Sequence, residues 1–200
     1  MNKSIVERVK AEVIAASKNQ KNIFGYNAWE NHIEIVYDLS LLLAKKLGAD
    51  CEIVSIAALL HDIASLKNKK YVKEHHVHGL KIARQILEKL NYPENRIKQV
   101  LHCIYAHRGS KKIPRKTLEA KIVACADAMS HIVHFPSILR LALIPYQMPL
   151  NKAVPWSLAK IKRSWNKIDL PEGKKMIKPQ YEAVLLICGY IVKKQKTPRY

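Results

Sequence analysis

Glycine is scarce in this chain, which has six among its 200 residues. With 48% hydrophobic and 26% charged residues, the composition argues against a fibrous or disordered protein and is typical of a globular one. A chain of this length buries one hydrophobic core well. We therefore predict a single domain over residues 1–200.

Long apolar runs and closely paired cysteines are also missing. The longest unbroken apolar stretch, around Val184 to Val192, is far too short to cross a bilayer, and the N-terminal MNKSIVERVK has no signal-peptide core. The four cysteines include no CxxC pair, so we interpret them as buried apolar residues rather than metal ligands. These absences predict a cytoplasmic protein without a transmembrane segment.

Acidic side chains are few, with 16 Asp and Glu against 35 Lys and Arg, which gives a formal net charge of +19. Such an excess attracts polyanions, whether nucleotides, nucleic acid or an anionic membrane surface. The charge indicates a class of partner but no reaction.

Apolar residues recur at helical spacing, and the breaks between them are short and polar or contain glycine or proline. The pattern predicts an all-α fold, a compact single-domain helical bundle. Helices are predicted at about 28–47, from Asp50 to His61, and at about 75–90, 94–107, 117–134, 156–167 and 178–194. Residues 135–155, which contain four prolines, are predicted to form an irregular proline-rich connection over a site, followed by a C-terminal helical extension at 156–200.

His32 is predicted to point inward, because it is spaced by three or four residues from Trp29 and Val36 on the apolar face of its helix. A single inward histidine is more often an ordinary core residue than a ligand. A metal-binding role for His32 therefore depends on its companions.

Two carboxylates are embedded in apolar helical segments. His61 and Asp62 directly follow IVSIAALL, and Asp127 lies within KIVACADAMSHI with no lysine or arginine one turn away. An unpaired ionised carboxylate is costly in such surroundings, and a bound cation is one of the few partners that removes the cost. Inward-facing polar residues on three helices therefore predict one common site.

These residues resemble the signature of the HD-domain superfamily of metal-dependent phosphohydrolases, which is a histidine, then His-Asp, then a distant aspartate. The matching segments are NHIEIVYDLSLLL with His32, AALLHDIA with His61 and Asp62, and ACADAMSHI with Asp127. The resemblance runs from about Trp29 to His134, so residues 29–134 are interpreted as an HD-type metal-binding core. The chain has HDIA where a common version of the motif has HDIGK.

The resemblance implies one divalent metal ion held by His32, His61, Asp62 and Asp127. Two imidazoles and two carboxylates suit Mn, Fe, Mg, Ni, Co or Zn, and they leave positions open for water and substrate. The implied reaction is hydrolysis of a phosphate ester or anhydride by a metal-activated water. Asp62 would also orient that water or accept its proton.

Further histidines occur in HHVHGLKIARQIL and VLHCIYAHR, where His76 and His107 match additional histidines of the family. With His102 they are candidates for a second ion. The alternatives are that His76 and His107 contact phosphate or donate a proton to the leaving oxygen, or that they only support the ligands. His131 and His134 share a helix face with Asp127 and are weaker candidates for the pocket.

A basic run begins directly after His107. Arg108, Lys111 and Lys112, with Arg115 and Lys116 beyond them, are candidates for binding an incoming phosphate, although such runs are usually solvated loops.

The function predicted from the sequence is hydrolysis of a small phosphorylated substrate, with a nucleotide as the favoured class. The leading alternative is a nucleic-acid-binding protein with a structural or vestigial metal site, in which the net charge of +19 provides the affinity. A metal-dependent oxygenase on the same scaffold is ranked last, because it requires a second ion.

Overall fold

The computed structural model describes residues 3–24, 27–109 and 111–196, and within these ranges it contains helices and no strand. The all-α fold class is confirmed. The last four residues of the predicted extension lie outside the described ranges. The α-helices are α1 (Ile5–Ser17), α2 (Glu34–Leu47), α3 (Cys51–Leu60), α4 (Ile63–Lys67), α5 (His75–Lys89), α6 (Glu94–Ala106), α7 (Leu118–Val133), α8 (Phe135–Leu143), α9 (Leu150–Lys167) and α10 (Pro171–Lys196). A π-helical turn, Trp29–Ile33, leads into α2, and a 3₁₀ segment, Lys69–Glu74, leads into α5.

Side-chain caps explain where several helices begin. The Asp50 carboxylate accepts hydrogen bonds from the backbone N–H groups of Glu52 and Ile53 at the start of α3. The Thr117 hydroxyl accepts one from Ala120 at the start of α7. These caps satisfy backbone donors that have no partner within the helix, and so they fix the first turns of the two central helices.

Helix α3 lies at the centre of the bundle, with every residue from Ile53 to Leu60 buried. Helices α1, α2, α6 and α7 all pack against it. Because α2 and α7 also pack against each other, the residues at the C-terminal end of α3 face side chains from both neighbours. This packing determines where the polar residues of the core meet.

The prediction of an irregular connection at 135–155 is wrong for most of that segment. Residues Phe135–Leu143 form α8 and Leu150–Lys167 form α9, with a short turn between them. Pro136 lies in the first turn of α8, where its missing N–H would have had no helical partner. Pro155 lies inside α9, where the helix continues despite it. The number of prolines in a segment is therefore not enough to predict a loop.

Among the described residues, no single helix is both long and apolar enough to cross a bilayer. Helices α7 and α8 meet the length and composition only when they are taken together, and they are bent by 75° at their junction.

Candidate metal centre

His61 and Asp62 occupy the break between α3 and α4, at the buried end of the central helix. His61 is fully buried, and its Nδ1 lies 2.7 Å from the Ala58 carbonyl oxygen. Since a carbonyl can only accept, Nδ1 bears the proton and Nε2 has a free lone pair. That lone pair points toward His32 of the π-helical turn and Asp127 of α7, as metal ligation requires.

Three more histidines are held in the same tautomer. His75 Nδ1 donates to the Val72 carbonyl at 2.8 Å, and His107 Nδ1 donates to the Ile104 carbonyl at 2.5 Å. For His32, the partner is the Ser130 oxygen at 3.3 Å, whose own proton goes to the Asp127 carbonyl at 2.8 Å. In its neutral form, each of these rings therefore presents an unprotonated Nε2 to the interior.

The first group of converging ligands contains His32, His61 and Asp127, whose ligand atoms all lie within 4.8 Å of one another. His32 Nε2 is 3.1 Å from His61 Nε2 and 3.6 Å from Asp127 Oδ1. Two unprotonated nitrogens this close repel each other, and either a shared proton or a metal cation between them removes the repulsion. Nitrogens bound to one ion at about 2.0–2.1 Å are separated by roughly 2.9–3.4 Å, so this donor set fits a divalent metal.

A second group contains Asp62, His75 and His107. His75 Nε2 is 3.0 Å from His107 Nε2, which repeats the facing lone pairs of the first group. Asp62 lies between the groups, with Oδ1 3.4 Å from His75 Nε2 and Oδ2 3.5 Å from His32 Nε2. Its carboxylate can therefore contribute to either group or bridge both.

Sequence reasoning missed His75. Its neighbour His76 was matched to an additional histidine of the family, but the 3₁₀ segment before α5 places His75 toward the centre instead. A run of histidines at the start of a helix was the available signal. It did not show which of the two adjacent rings faces inward.

The carboxylates of this centre remain ionised despite their burial. Burial alone would raise the pKa of Asp62, but the positive charge that His75 and His61 carry when they are protonated outweighs it and holds that pKa well below its usual range. For Asp127, burial is likewise outweighed, chiefly by His131 and His32, and its pKa is lowered. Burial lowers the pKa of His61 and takes that of His107 to about 3. Anionic carboxylates beside neutral imidazoles are the protonation states that bind a metal.

His76 lies outside both groups. Its Nδ1 is 3.2 Å from Arg108 Nη1, and its Nε2 is 3.7 Å from Glu74 Oε2. His102 Nε2 accepts a hydrogen bond from the backbone N–H of Lys116 at 3.1 Å, and it too belongs to neither group. Of the three histidines considered for a second ion, only His107 is placed for ligation.

A cavity of about 290 Å³ opens in front of the centre, and His32, Asp62, His75, His107 and Asp127 form part of its wall. His131 and His134 also line it. The rest of the wall is partly apolar and partly basic, with Phe24, Ile138 and Leu141 among the apolar residues and Arg108, Arg140, Lys160 and Lys167 as the basic ones.

The basic residues predicted from the loop after α6 separate in the structure. Arg108 lines the cavity, whereas Lys111 and Lys112 are exposed and do not. Lys111 Nζ lies 3.9 Å from Glu74 Oε1. Among the basic residues of this loop, Arg108 alone lines the cavity and can contact a molecule within it.

His131 packs against the first group and also lines the cavity. Its ring is parallel to that of His32, with 5.7 Å between centroids, and its Nε2 is 3.7 Å from Asp127 Oδ1. Its Nδ1 lies 3.0 Å from the Ser164 hydroxyl of α9. The site is thereby connected to the C-terminal helices.

Clustered histidines and aspartates at the end of a central helix define an all-helical domain whose side chains could hold a divalent metal ion. Residues 29–132 match the family model described as HD domain, and this match takes in more than half of the chain. The chain therefore belongs to the HD-domain family, and the resemblance found in the sequence is confirmed.

Similar proteins include Ribonuclease Y of Clostridium perfringens, 36% identical over 107 residues that make up 54% of this chain and 19% of that protein. Ribonuclease Y of Thermoanaerobacter pseudethanolicus is 33% identical over 129 residues, 64% of this chain and 23% of that protein. The chain thus spans about a fifth of the length of these curated relatives.

Two solved structures share the fold over almost the whole chain. YpgQ of Bacillus subtilis, in complex with ADP, matches with a TM-score of 0.69 and 19% identity, covering 94% of this chain and 97% of YpgQ. An HD-superfamily hydrolase from Bacillus thuringiensis matches with a TM-score of 0.65 and 18% identity, covering 96% and 100% of the two chains. The C-terminal helices are therefore part of a fold shared with these two structures.

Proposed function

We propose that this chain is a metal-dependent phosphohydrolase that cleaves a phosphate ester or anhydride of a small anionic substrate, a nucleotide being the favoured class. The observation that supports it most is the pair of facing, unprotonated Nε2 atoms, 3.1 Å apart in one group and 3.0 Å apart in the other. His32 of the first pair and both histidines of the second line a cavity whose wall also contains arginine and lysine.

A divalent ion in such a site supplies Lewis-acid activation of water and of a phosphoryl oxygen. The residues of the chain have separable roles in this proposal. His32, His61, Asp62 and Asp127 are proposed as ligands, with His75 and His107 as candidates for a second ion. Asp62 is also proposed as a proton acceptor for the attacking water, because its carboxylate is ionised and lies between the two groups.

Substrate contacts are proposed for Arg108 first. Its guanidinium lines the cavity and can hold two phosphoryl oxygens at once. His76 is proposed to act through Arg108, while Lys111 and Lys112 are proposed only to attract anions toward the opening. The ADP complex of YpgQ supports a nucleotide as the substrate class, since the two proteins share a fold.

Assays on the same purified protein also test the alternative function, that of a nucleic-acid-binding module. A binding module predicts tight, salt-sensitive binding of RNA without turnover, whereas the hydrolase predicts turnover that needs metal. A cavity of about 290 Å³ suits a small molecule better than a duplex, which favours the hydrolase.

The experiment is metal analysis of protein purified without chelator, followed by a screen of mono-, di- and triphosphates and a short RNA. Manganese, magnesium, cobalt, nickel and zinc are each added in turn. We expect bound metal and phosphate release from at least one small compound. Metal-free protein with no turnover under any of these conditions would contradict the proposal.

The sharpest variant is Asp62→Asn, with Asp38→Asn as its control. Each change removes one carboxylate charge. Asp62 is buried at the candidate site, whereas Asp38 is exposed on α2 and belongs to neither group of ligands. Asp62→Asn is expected to reduce metal content and abolish turnover, and Asp38→Asn to leave both unchanged. Undiminished turnover in a clean Asp62→Asn preparation would place the activity elsewhere.

A further inference from the structure

One wall of the cavity comes from a part of the chain beyond the match to the HD family. That match ends at residue 132, and α9 begins at Leu150. Helix α9 packs against α7, which contains Asp127, and it contributes Lys160 and Lys167 to the cavity. Two lysines from one helix therefore face the same space as the candidate metal ligands.

Lys160 is the more informative of the two, because its ammonium group has no close partner. Among the described residues it forms no hydrogen bond and no ion pair within 4.0 Å. Burial lowers the pKa of Lys160, and although Asp127 opposes that shift, Lys167 adds to it. A largely buried ammonium with no adjacent anion is costly, and an anionic ligand in the cavity would remove that cost.

Lys167 reaches the cavity by crossing over Gly109. A Cβ at position 109 would lie 2.7 Å from Lys167 Cε and 3.0 Å from its Nζ, so a side chain there would force the end of the Lys167 side chain to shift. Since Gly109 directly follows Arg108, this contact places the Lys167 ammonium on the same part of the wall as the Arg108 guanidinium. Positive charge is thus concentrated between the end of α9 and the loop after α6.

The apolar part of the wall comes from different elements. Ile138 and Leu141 are on α8, and Phe24 is joined to that helix because Arg140 Nη1 donates to its carbonyl oxygen at 2.9 Å. Arg140 therefore has a structural partner that Lys160 lacks. The cavity offers a basic region on α9 and an apolar region on α8, with the metal ligands lining the same space.

We propose that Lys160, Lys167 and Arg108 form a subsite for a second phosphoryl group, so that the substrate is a compound with at least two linked phosphoryl groups, such as a nucleoside diphosphate or triphosphate. This inference rests on the proposed phosphohydrolase function. The phosphoryl group that reacts lies at the metal centre, the next one at the α9 lysines, and the organic part against α8. A monophosphate leaves the subsite empty and binds less tightly.

The test compares binding of α,β-methylene-ADP, which is not cleaved between its phosphoryl groups, with binding of AMP by calorimetry on metal-loaded protein. We expect the diphosphate analogue to bind roughly tenfold or more tightly than AMP, since one charge-assisted contact is worth about 1.5–3 kcal/mol. Lys160→Gln and Lys167→Gln should each weaken binding of the analogue roughly tenfold and change the affinity for AMP by less than about twofold.

Two further variants separate charge from position. Lys162→Gln removes a charge from the same helix at an exposed site and should leave both affinities unchanged. Gly109→Ala keeps every charge but displaces the Lys167 side chain, so it should weaken binding of the analogue as Lys167→Gln does. The double variant should bind the analogue about as weakly as either single variant. Thermal unfolding and metal content of each variant establish that the fold and the metal centre are intact.

Equal affinity of the wild type for the analogue and AMP would overturn the subsite, as would equal losses for both ligands in Lys160→Gln. Inorganic pyrophosphate and phosphate form a second pair of ligands that lacks the organic part. Preference for pyrophosphate that disappears in the lysine variants supports the subsite. Because binding needs no turnover, this result is independent of whether hydrolysis is found.

Discussion

His76 and Arg108 face each other at the edge of the cavity, with 3.2 Å between His76 Nδ1 and Arg108 Nη1. A guanidinium can only donate, so His76 Nδ1 accepts and the imidazole is neutral. Burial, followed by the Arg108 charge, lowers the pKa of His76, which is consistent with that state. Arg108 Nη1 also donates to the Lys73 carbonyl oxygen, so the arginine is fixed by α5 and the segment before it.

This contact predicts that His76→Ala acts through Arg108. We expect KM for the substrate to rise by roughly threefold to tenfold, with a smaller change in kcat, because one hydrogen bond to a charged group is worth about 1.5–3 kcal/mol and the guanidinium keeps its backbone contact. Arg108→Ala should be more severe and lower kcat as well. The double variant should resemble Arg108→Ala alone, and additive losses would show that His76 acts independently. His78→Ala, at an exposed position of α5, is the control.

The second group of ligands predicts a change in metal stoichiometry. If Asp62, His75 and His107 hold an ion of their own, His75→Ala should reduce the metal content of the purified protein from about two ions per chain to about one. His102→Ala removes a histidine that is bonded to the Lys116 backbone and should leave the content unchanged. Mass spectrometry measures the number of metal ions per chain in each variant. Identical metal content in the wild type and His75→Ala would exclude a ligand role for His75.

Stability of the metal-free protein should fall as the pH is lowered, and His107 is one cause. Its pKa is about 3 in the folded protein, mainly because it is buried, against about 6.5 when unfolded. Below pH 6.5 the unfolded chain binds a proton that the folded chain does not, so this stabilisation is complete above 6.5 and is lost as pH falls from 6.5 toward 3. Lowering the pH from 7.5 to 5.5 should therefore reduce the free energy of unfolding by about 1.4 kcal/mol through His107 alone.

Urea unfolding of chelator-treated protein at those two pH values measures the effect. Between these pH values the free energy of unfolding of the wild type should fall by more than the His107 contribution alone, because burial also lowers the pKa of His61 and His131. His107→Gln should lose about 1.4 kcal/mol less than the wild type, whereas His78→Gln should keep the full dependence. An unchanged pH dependence in His107→Gln would contradict burial of a neutral ring.

Packing of α10 against α7 depends on Gly173. A Cβ there would lie 2.6 Å from Cys125 Sγ and 3.1 Å from Met129 Sδ, both in the buried face of α7. Gly173→Ala is therefore expected to reduce the free energy of unfolding by about 1–3 kcal/mol. Gly189, on the same helix, has no atom within 4 Å of the methyl group that an alanine would add, so Gly189→Ala should stabilise the protein by about 0.5–1 kcal/mol. Urea denaturation of the pair measures both, and equal effects would mean that α10 is not seated on α7 through Gly173.

The central helices and most residues of the candidate metal centre were predictable, because a polar residue stands out within an apolar segment. Asp62 and Asp127 have few explanations inside apolar helices other than a bound cation, and the motif they complete is specific. The bounds predicted for the helices at 94–107 and 117–134 agree with the structure to within a residue at each end, since proline and threonine mark their starts.

The rest depended on information that periodicity does not contain. His75 could not be preferred over His76, because the phase of α5 is set by the 3₁₀ segment before it. The α9 lysines look in sequence like any solvated helix face, and only the packing of α9 on α7 directs Lys160 into the cavity while Lys162 stays exposed. His32 was placed by α-helical spacing, yet it lies in a π-helical turn, which sequence spacing did not reveal.

His61 and His107 share a backbone setting, since each is the residue at which a buried helix ends, α3 for His61 and α6 for His107. A helix terminus of this kind presents the negative end of the helix dipole, equivalent to roughly half an elementary charge. Two such termini converge beside the same ligands, so the backbone itself attracts a cation there even before the carboxylates are counted. The same field repels an incoming phosphate, and positive side chains on the cavity wall are needed to offset it.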